Sequence, residues 1–214
     1  MVGEVGPFEA MKLRVLNGAH SALAYLGAST GIGTVADAMT EPALAAFLRR
    51  LWDEDLVPTV PGVPGMDLAR YTLVLEERFQ NRSVRHRLQQ IATDGSQKLP
   101  QRLLAPALDR LREDMPPPFI ALAVAGWARY LLGRDELGSA YAISDPLADR
   151  LAALLHGCGQ NPLAMTERLL AVREVFDPAL AAHAAFRDAV HQALASLLSK
   201  GVRTALRDWA RAKE

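Results

Sequence analysis

The sequence predicts an all-α domain, and three observations support this fold class. Apolar residues recur at helical spacing along most of the 214 residues, and the alternating pattern of β-strands is almost absent. Several segments begin with a capping residue next to a proline, which is typical of a helix start. Half of the residues are hydrophobic, which is enough to bury a substantial core.

The helices of the first half can be predicted in chain order. Pro7 opens a first helix that continues to Gly27, and Thr40-Glu41-Pro42 opens the next one. Prolines and glycines form a rigid loop over residues 58–65. Asp67 is expected to cap the following helix. The apolar side of that helix carries four residues: Leu68, Tyr71, Leu75 and Phe79.

The second half is also predicted to be helical. The pattern predicts helices over residues 84–91, 98–113 and 120–132, with a polar turn at 93–96 and three prolines at 116–118. Ser144-Asp145-Pro146 and Asn161-Pro162 are further helix starts. Asp177-Pro178 opens a long helix that reaches Ser199, and Gly201 separates it from a terminal segment over 202–212.

Composition limits the class of protein. Lys plus Arg equals Asp plus Glu at 24 each, so no basic excess indicates a nucleic acid or an anionic membrane as partner. The single Cys158 cannot form an internal disulfide, so we interpret it as a small packed residue and expect a reducing cytoplasm. Residues 1–5 have no basic region typical of a signal peptide, and the longest apolar stretch, 119–128, is too short to cross a bilayer.

A first polar motif lies in the first predicted helix. Lys12, Asn17 and His20 stand at offsets of zero, five and eight, which at about 100° per residue share one sector of about 140°. Gly18 inside a helix costs up to about 1 kcal/mol relative to alanine, so close approach of a substrate or a neighbouring backbone would explain it.

Spacing alone leaves two interpretations of this motif. A solvent-facing lysine, a water-bonded asparagine and a histidine at the edge of the core would give the same pattern. In the other interpretation, a lysine in a partly dry pocket loses its preference for the charged form and becomes a usable general base. A neighbouring amide could then donate to an oxygen that gains negative charge.

The motif Lys12-x4-Asn17-x2-His20 resembles the catalytic helix of the mannitol dehydrogenase family. It lies within Lys-Leu-Arg-Val-Leu-Asn-Gly-Ala-His-Ser-Ala-Leu-Ala-Tyr-Leu-Gly. The family comprises long-chain, zinc-independent, polyol-specific dehydrogenases. The resemblance implies that Lys12 is the general acid/base, that Asn17 contributes to an oxyanion hole, and that His20 contacts substrate hydroxyls. It also implies an all-α fold similar to the C-terminal domain of 6-phosphogluconate dehydrogenase.

A second polar motif follows about 80 residues later. Its sequence is Gln-Ile-Ala-Thr-Asp-Gly-Ser-Gln-Lys-Leu-Pro-Gln-Arg, from Gln90 to Arg102. Taken alone it predicts an ordinary corner, in which Gly95 takes a positive φ, Ser96 caps the next helix, and Lys98 and Arg102 form a solvated face. It is also similar to the family's Asp-Gly-Ser-x-Lys-Leu-Pro segment, whose lysine reaches the substrate, and this implies a substrate-binding role for Lys98.

One family position departs from the usual pattern. Typical mannitol 2-dehydrogenases have an arginine eight residues before this lysine, whereas this chain has Gln90, so an amide replaces a charged donor at a substrate-binding position. The segment is more similar to the fructuronate reductase branch, although some mannitol dehydrogenases share its form. The substrate pair therefore stays open between mannitol and fructose on one side and mannonate and fructuronate on the other.

The resemblance also implies a partner domain. Family members carry a Rossmann-type nucleotide domain before the catalytic helix, but no strand followed by G-x-G-x-x-G is found here, and Gly31-Ile32-Gly33 is interpreted as a turn. We therefore expect residues 1–214 to form a helical substrate-binding and catalytic C-terminal domain, with the N-terminal Rossmann domain absent from this chain. That domain would hold most of the NAD or NADP, and the isolated chain would turn over little.

The sequence also bears on metal binding and on an alternative function. No metal is expected, because the remaining histidines are too scattered to share a ligand set; they are His86, His156, His183 and His191. The alternative to the dehydrogenase is a non-catalytic all-α module whose apolar face docks a partner protein. In that case, replacing Lys12, Asn17 or Lys98 would change only the surface charge.

Overall fold

The computed structural model describes residues 6–211 of the chain. Helices account for 70% of the chain. Residues 6–211 contain no strand, and two isolated bridges pair Thr34 with Arg87 and Arg134 with Ala140. The all-α prediction is therefore confirmed. Two predictions fall partly or wholly outside the described residues. They are the absence of a signal peptide in residues 1–5 and the end of the terminal segment at residue 212.

The helices follow one another closely along the chain. The first half contains α1 (Pro7–Met11), α2 (Ala19–Ser29), α3 (Val35–Met39), α4 (Pro42–Arg50), α5 (Leu68–Gln80) and α6 (Leu88–Ile91). The second half contains α7 (Gly95–Leu99), α8 (Ala105–Arg112), α9 (Pro118–Tyr130), α10 (Ala148–His156), α11 (Pro162–Leu170), α12 (Pro178–Ala182), α13 (Ala184–Lys200) and α14 (Val202–Arg211). Among the described residues, three segments are π-helices: π1 (Lys12–Gly18), π2 (Leu51–Leu56) and π3 (Pro100–Leu104). A 3₁₀ turn covers Val57–Thr59.

Helix α9 is the centre of the core. Residues 119–128 are all buried, which is expected of a helix that is apolar on every side. It packs between α2 and α13. Trp127 and Tyr130 of α9 are among the largest buried side chains, and burial of a large apolar side chain stabilises the fold by roughly 1.5–3 kcal/mol. No helix within residues 6–211 combines the length and the apolar character needed to span a bilayer.

Three of the predicted caps are confirmed by hydrogen bonds. The side chains of Asp67, Asn161 and Asp177 accept backbone N–H groups at the starts of α5, α11 and α12. Each such bond satisfies one of the N–H groups that a helix start leaves without an intrahelical partner. The α4 start at Thr40-Glu41-Pro42 is confirmed as well.

Some predicted bounds were wrong. The first helical run continues past Gly27 to Ser29, and the short α3 was not predicted. Of the predicted helix 84–91, only α6 is helical, because residues 80–87 are all exposed and offer no apolar face to pack. The long helix predicted from Asp177 is interrupted at His183, where ψ is 113°, and resumes as α13.

A buried carboxylate holds the start of α9. The Asp55 side chain, in π2, is fully buried, and its Oδ2 accepts the backbone N–H groups of Phe119 and Ile120, both at 2.7 Å. Its Oδ1 lies 3.7 Å from Nε of Arg110. Burial raises the pKa of Asp55 to about 7, although the two backbone N–H groups and Arg110 act in the opposite direction.

Candidate functional site

The first polar motif lies on a π-helix that continues into α2. A π-helix closes its hydrogen bonds between residues five apart, which is the spacing of Lys12 and Asn17. These two residues therefore lie closer around the axis than the 140° calculated for an α-helix, which corrects the angular prediction. His20 follows in the first turn of α2. Single turns of π-helix are rare and occur frequently at functional sites.

The two polar motifs meet where π1 crosses π3. A Cβ atom placed on Gly18 would lie 2.8 Å from the carbonyl oxygen of Arg102, a contact that requires the backbone to shift. The same Cβ would touch Leu103 of π3 and Leu56 of π2, each at 3.5 Å. Gly18 therefore permits the close approach of a neighbouring backbone, which is one of the two explanations that the sequence left open.

The face that carries Lys12 and Asn17 is open. The Lys12 side chain is exposed and that of Asn17 is partly exposed. Neither side chain makes a hydrogen bond or ion pair with any residue in the range 6–211. Other helices of the domain therefore leave both polar groups available for contact.

His20 lies at the buried end of the motif. Its ring stacks on Phe79 of α5, with 4.2 Å between ring centroids and 15° between planes, and His86 meets it edge-on at 6.0 Å. Its Nε2 is buried and has no hydrogen-bond partner among the described residues. Burial lowers the pKa of His20 to about 4, and the electrostatic effects of His86, Arg102 and Arg78 act in the same direction. The ring is therefore neutral at pH 7.

Lys98 belongs to a short chain of hydrogen bonds in the second motif. Its Nζ donates to Thr93 Oγ1 at 3.1 Å, and that hydroxyl donates to the backbone carbonyl of Gln90 at 3.0 Å. Asp94 Oδ2 lies 3.8 Å from the same Nζ. Burial and the charge of Arg102 lower the pKa of Lys98, and Asp94 opposes them. The side chain of Gln90 is exposed.

The corner of the second motif differs from the sequence prediction. The residue with positive φ is Asp94, at 55°, and Gly95 is the first residue of α7. A Cβ on Gly95 would lie only 2.5 Å from Nε1 of Trp127, so this glycine serves close packing against α9. Ser96 does not cap the helix either. Its backbone N–H and hydroxyl instead donate to the two oxygens of Asp145, at 2.7 and 2.6 Å.

Two residues of this region were missed or misread from sequence. Asp145 was predicted to start a helix, but α10 begins only at Ala148. The Asp145 carboxylate instead binds Ser96 of α7, which lies 49 residues earlier in the chain. Arg102 was expected on a solvated face, but it is partly buried, and its Nη1 donates to Ser21 Oγ at 3.1 Å. Its Nε is buried without a hydrogen-bond partner among the described residues. The only sequence signal for either was the family resemblance around them.

The fold defines a class of all-α domain in which two polar motifs meet at one crossing. Residues 4–198 match the family model described as the mannitol dehydrogenase C-terminal domain, and the chain therefore belongs to this family. The resemblance inferred from the motifs is confirmed.

Relatives and solved structures agree with this assignment. The chain is 42% identical over 205 residues to the D-mannonate oxidoreductase of Escherichia coli K12, covering 94% of this chain and 41% of that protein. It is 31% identical to the mannitol 2-dehydrogenase of Aspergillus terreus, covering 94% of this chain and 39% of that protein. The structure of Pseudomonas fluorescens mannitol 2-dehydrogenase in ternary complex with NAD and D-mannitol matches with a TM-score of 0.92 and 35% identity, covering 100% of this chain and 42% of that one. The chain thus spans about two fifths of the length of these proteins.

Proposed function

We propose that this chain is the substrate-holding and proton-transferring domain of an NAD(P)-dependent oxidoreductase that interconverts a polyol or a sugar acid and its keto form. The observation that carries the proposal is the contact between Gly18 and the Arg102 carbonyl. It joins the Lys12 motif to the Lys98 motif at one crossing, while Lys12 and Asn17 stay open to a ligand.

Each side chain has a role in the proposal. Lys12 takes the proton of the reacting hydroxyl during oxidation and returns it during reduction. The amide of Asn17 donates to the oxygen as negative charge develops on it. His20, neutral at pH 7, can donate or accept one hydrogen bond with a substrate hydroxyl. Lys98 and the exposed Gln90 orient the remaining substrate oxygens.

The nicotinamide nucleotide needs a second domain in this proposal. Within residues 6–211 no strand leads into a glycine-rich turn at a helix start, so the described residues do not fit the nucleotide's phosphates. We propose that a nucleotide-binding domain outside this chain holds NAD or NADP, whose chemistry is to accept or donate the hydride. Docking of that domain would also cover the exposed Lys12 and exclude water around it.

The base assignment can be tested in a chimera. The chain would replace the matched region of the Escherichia coli D-mannonate oxidoreductase, and turnover of D-mannonate and of D-mannitol would be followed with NAD and NADP. We expect Lys12→Ala to lower kcat by about 10²–10⁴-fold, the usual contribution of a positioned acid/base. Lys200→Ala is the matched control, because Lys200 is an exposed lysine at the end of α13 that pairs with Asp208 and belongs to neither motif.

Two results would contradict this function. If Lys12→Ala left kcat within a factor of a few of the unmodified chimera, Lys12 would not be the base. If Lys12, Asn17 and Lys98 could all be replaced without loss of turnover, the motifs would be a charged surface, as the partner-binding alternative predicts.

A further inference from the structure

A small cavity opens beside His20 on the side of α5. Its volume is about 130 Å³, well below the roughly 300–1,000 Å³ of pockets that take a whole small molecule. The cavity therefore suits one end of a ligand. Besides His20 it is lined by Arg78, Phe79, Asn81, Val84 and His86.

The polar groups of this cavity are mainly hydrogen-bond donors. Arg78, in the last turn of α5, is exposed and makes no hydrogen bond or ion pair with any described residue. The nearby Glu76 is already engaged by Arg49 and Gln80. Asn81 uses its side-chain carbonyl oxygen to accept the backbone N–H of Ser83 at 2.9 Å, and its amide N–H groups make no hydrogen bond with a described residue.

The electrostatic surroundings of His20 also lack a counter-charge. The guanidinium groups that act on its ring are those of Arg102 and Arg78, and no carboxylate acts on it. The Nη1 atom of Arg102 donates to Ser21 Oγ, and its Nε has no hydrogen-bond partner among the described residues. A cavity with uncompensated positive charge favours an anion, and a guanidinium binds a carboxylate through two parallel hydrogen bonds.

We propose that Arg78 is a specificity-determining residue that binds the carboxylate end of a sugar-acid substrate. The inference rests on the proposed function and deepens it by naming the substrate class. His20 would hold a hydroxyl next to that carboxylate, since both residues line the same cavity.

The test compares two ligands that differ in one terminal group. D-Mannonate carries a carboxylate at the end where D-mannitol carries a neutral hydroxymethyl group. Binding of each to the full 214-residue chain can be followed by the NMR shifts of backbone amides at constant ionic strength. We expect D-mannonate to bind about tenfold more tightly or better, the gain typical of a hydrogen bond to a charged group.

Substitutions at Arg78 test whether this residue causes the preference for D-mannonate over D-mannitol. Arg78→Gln should remove the preference for D-mannonate and leave the Kd of D-mannitol unchanged. Arg78→Lys should retain part of it, because it keeps the charge and loses the planar fork. Arg82→Gln is the matched control, since Arg82 is exposed, four residues further on, and outside the cavity lining. Urea unfolding of each variant checks that the fold is intact.

The outcomes separate this inference from the proposed function. Equal Kd values for the two ligands, a preference that persists in Arg78→Gln, or no binding of either ligand would each overturn the role of Arg78. The binding preference does not need proton transfer, so it should survive in Lys12→Ala. Loss of the Lys12 effect in the chimera would overturn the base assignment while leaving a carboxylate preference at Arg78 in place.

Discussion

Two ionisable groups, Asp55 and His20, lie largely buried in this domain, and their surroundings contrast. Asp55 accepts two backbone N–H groups at the start of α9 and faces Arg110, so that each of its oxygens has a polar neighbour. His20 stacks on Phe79, but its Nε2 has no hydrogen-bond partner among residues 6–211, and the guanidinium groups of Arg78 and Arg102 disfavour its charged form. The two groups are shifted in the same physical sense, towards the neutral form.

The contrast indicates how polar groups divide between architecture and function in this fold. A buried group with a full set of local bonds stabilises the element to which it is bonded. A buried donor or acceptor without a partner costs free energy, roughly 1–3 kcal/mol, and is retained where a ligand can complete it. Asp55 is nearer the first kind, because its Oδ2 accepts two backbone N–H groups, although its Oδ1 has no hydrogen bond and lies 3.7 Å from Arg110 Nε. His20 is of the second kind.

The largest effect is expected from removal of the Asp55 carboxylate. Asp55→Ala leaves two N–H groups at the start of α9 without an acceptor, at roughly 1–3 kcal/mol each, so the free energy of unfolding should fall by about 3–5 kcal/mol. Urea unfolding followed by circular dichroism measures the change. Asp53→Ala is the control, since Asp53 is exposed on the same π2 turn and should cost less than about 0.5 kcal/mol. Similar losses in both variants would contradict an architectural role for Asp55.

The second prediction concerns pH and His20. Its pKa falls from 6.5 to about 4 on folding, so the folded state binds fewer protons than the unfolded state between those values. The stability that His20 contributes is therefore present above pH 6.5 and lost as the pH falls towards 4, by up to about 3 kcal/mol. His20→Phe keeps the stack on Phe79 and removes the titration.

This effect has to be separated from that of Asp55, which has the opposite sign. The raised pKa of Asp55 makes its contribution fully present below pH 4 and lost as the pH rises to about 7. Because Asp55 is the same in both proteins, the difference in unfolding free energy between wild type and His20→Phe isolates the histidine. A difference that does not change between pH 7 and pH 4.5 would show that His20 is not held in the neutral form.

A smaller effect is expected at the crossing of the two motifs. Gly18→Ala places a methyl group 2.8 Å from the carbonyl oxygen of Arg102. Overpacking destabilises the fold, and the higher helix propensity of alanine offsets part of that cost, so the free energy of unfolding should fall by about 1–2 kcal/mol. Gly33→Ala is the matched control, because a Cβ there meets nothing within 4 Å, and the change should be neutral or slightly stabilising. Equal stability of the two variants would show that the crossing tolerates a wider separation.

Sequence reasoning succeeded where the signal was local. Helical periodicity predicted the fold class, and a capping side chain beside proline predicted the starts of α11 and α12, because the residues that bond lie within three positions of each other. The buried α9 followed from an apolar run without interruption. The motif spacing carried the family resemblance.

The predictions that were wrong or missing concerned residues that contact distant segments of the chain. Asp145 looks like a helix start from its neighbours, yet it bonds to Ser96, 49 residues away. Asp55 shows no periodic signal, because its partners are the first residues of α9. The π-helical winding of π1 depends on its contacts with π2 and π3, one of which is the hydrogen bond from Trp52 Nε1 to the Val15 carbonyl at 2.8 Å. The roles of Lys12, Asn17, His20, Gln90 and Lys98 stay predictions until the variants are measured.

The winding of π1 has a consequence for how this motif can vary among related genes. A π turn holds one residue more than the α-helical ladder would, so the angular position of Lys12 is fixed by a residue count rather than by side-chain identity. An in-frame loss of one codon between positions 12 and 17 would leave the two residues four apart, and a turn rewound as an α-helix would still place them on one face, about 40° apart. If the turn rewound as an α-helix with no residue lost, the same two side chains would instead lie about 140° apart, so the π winding is what brings the amine and the amide together at their present spacing.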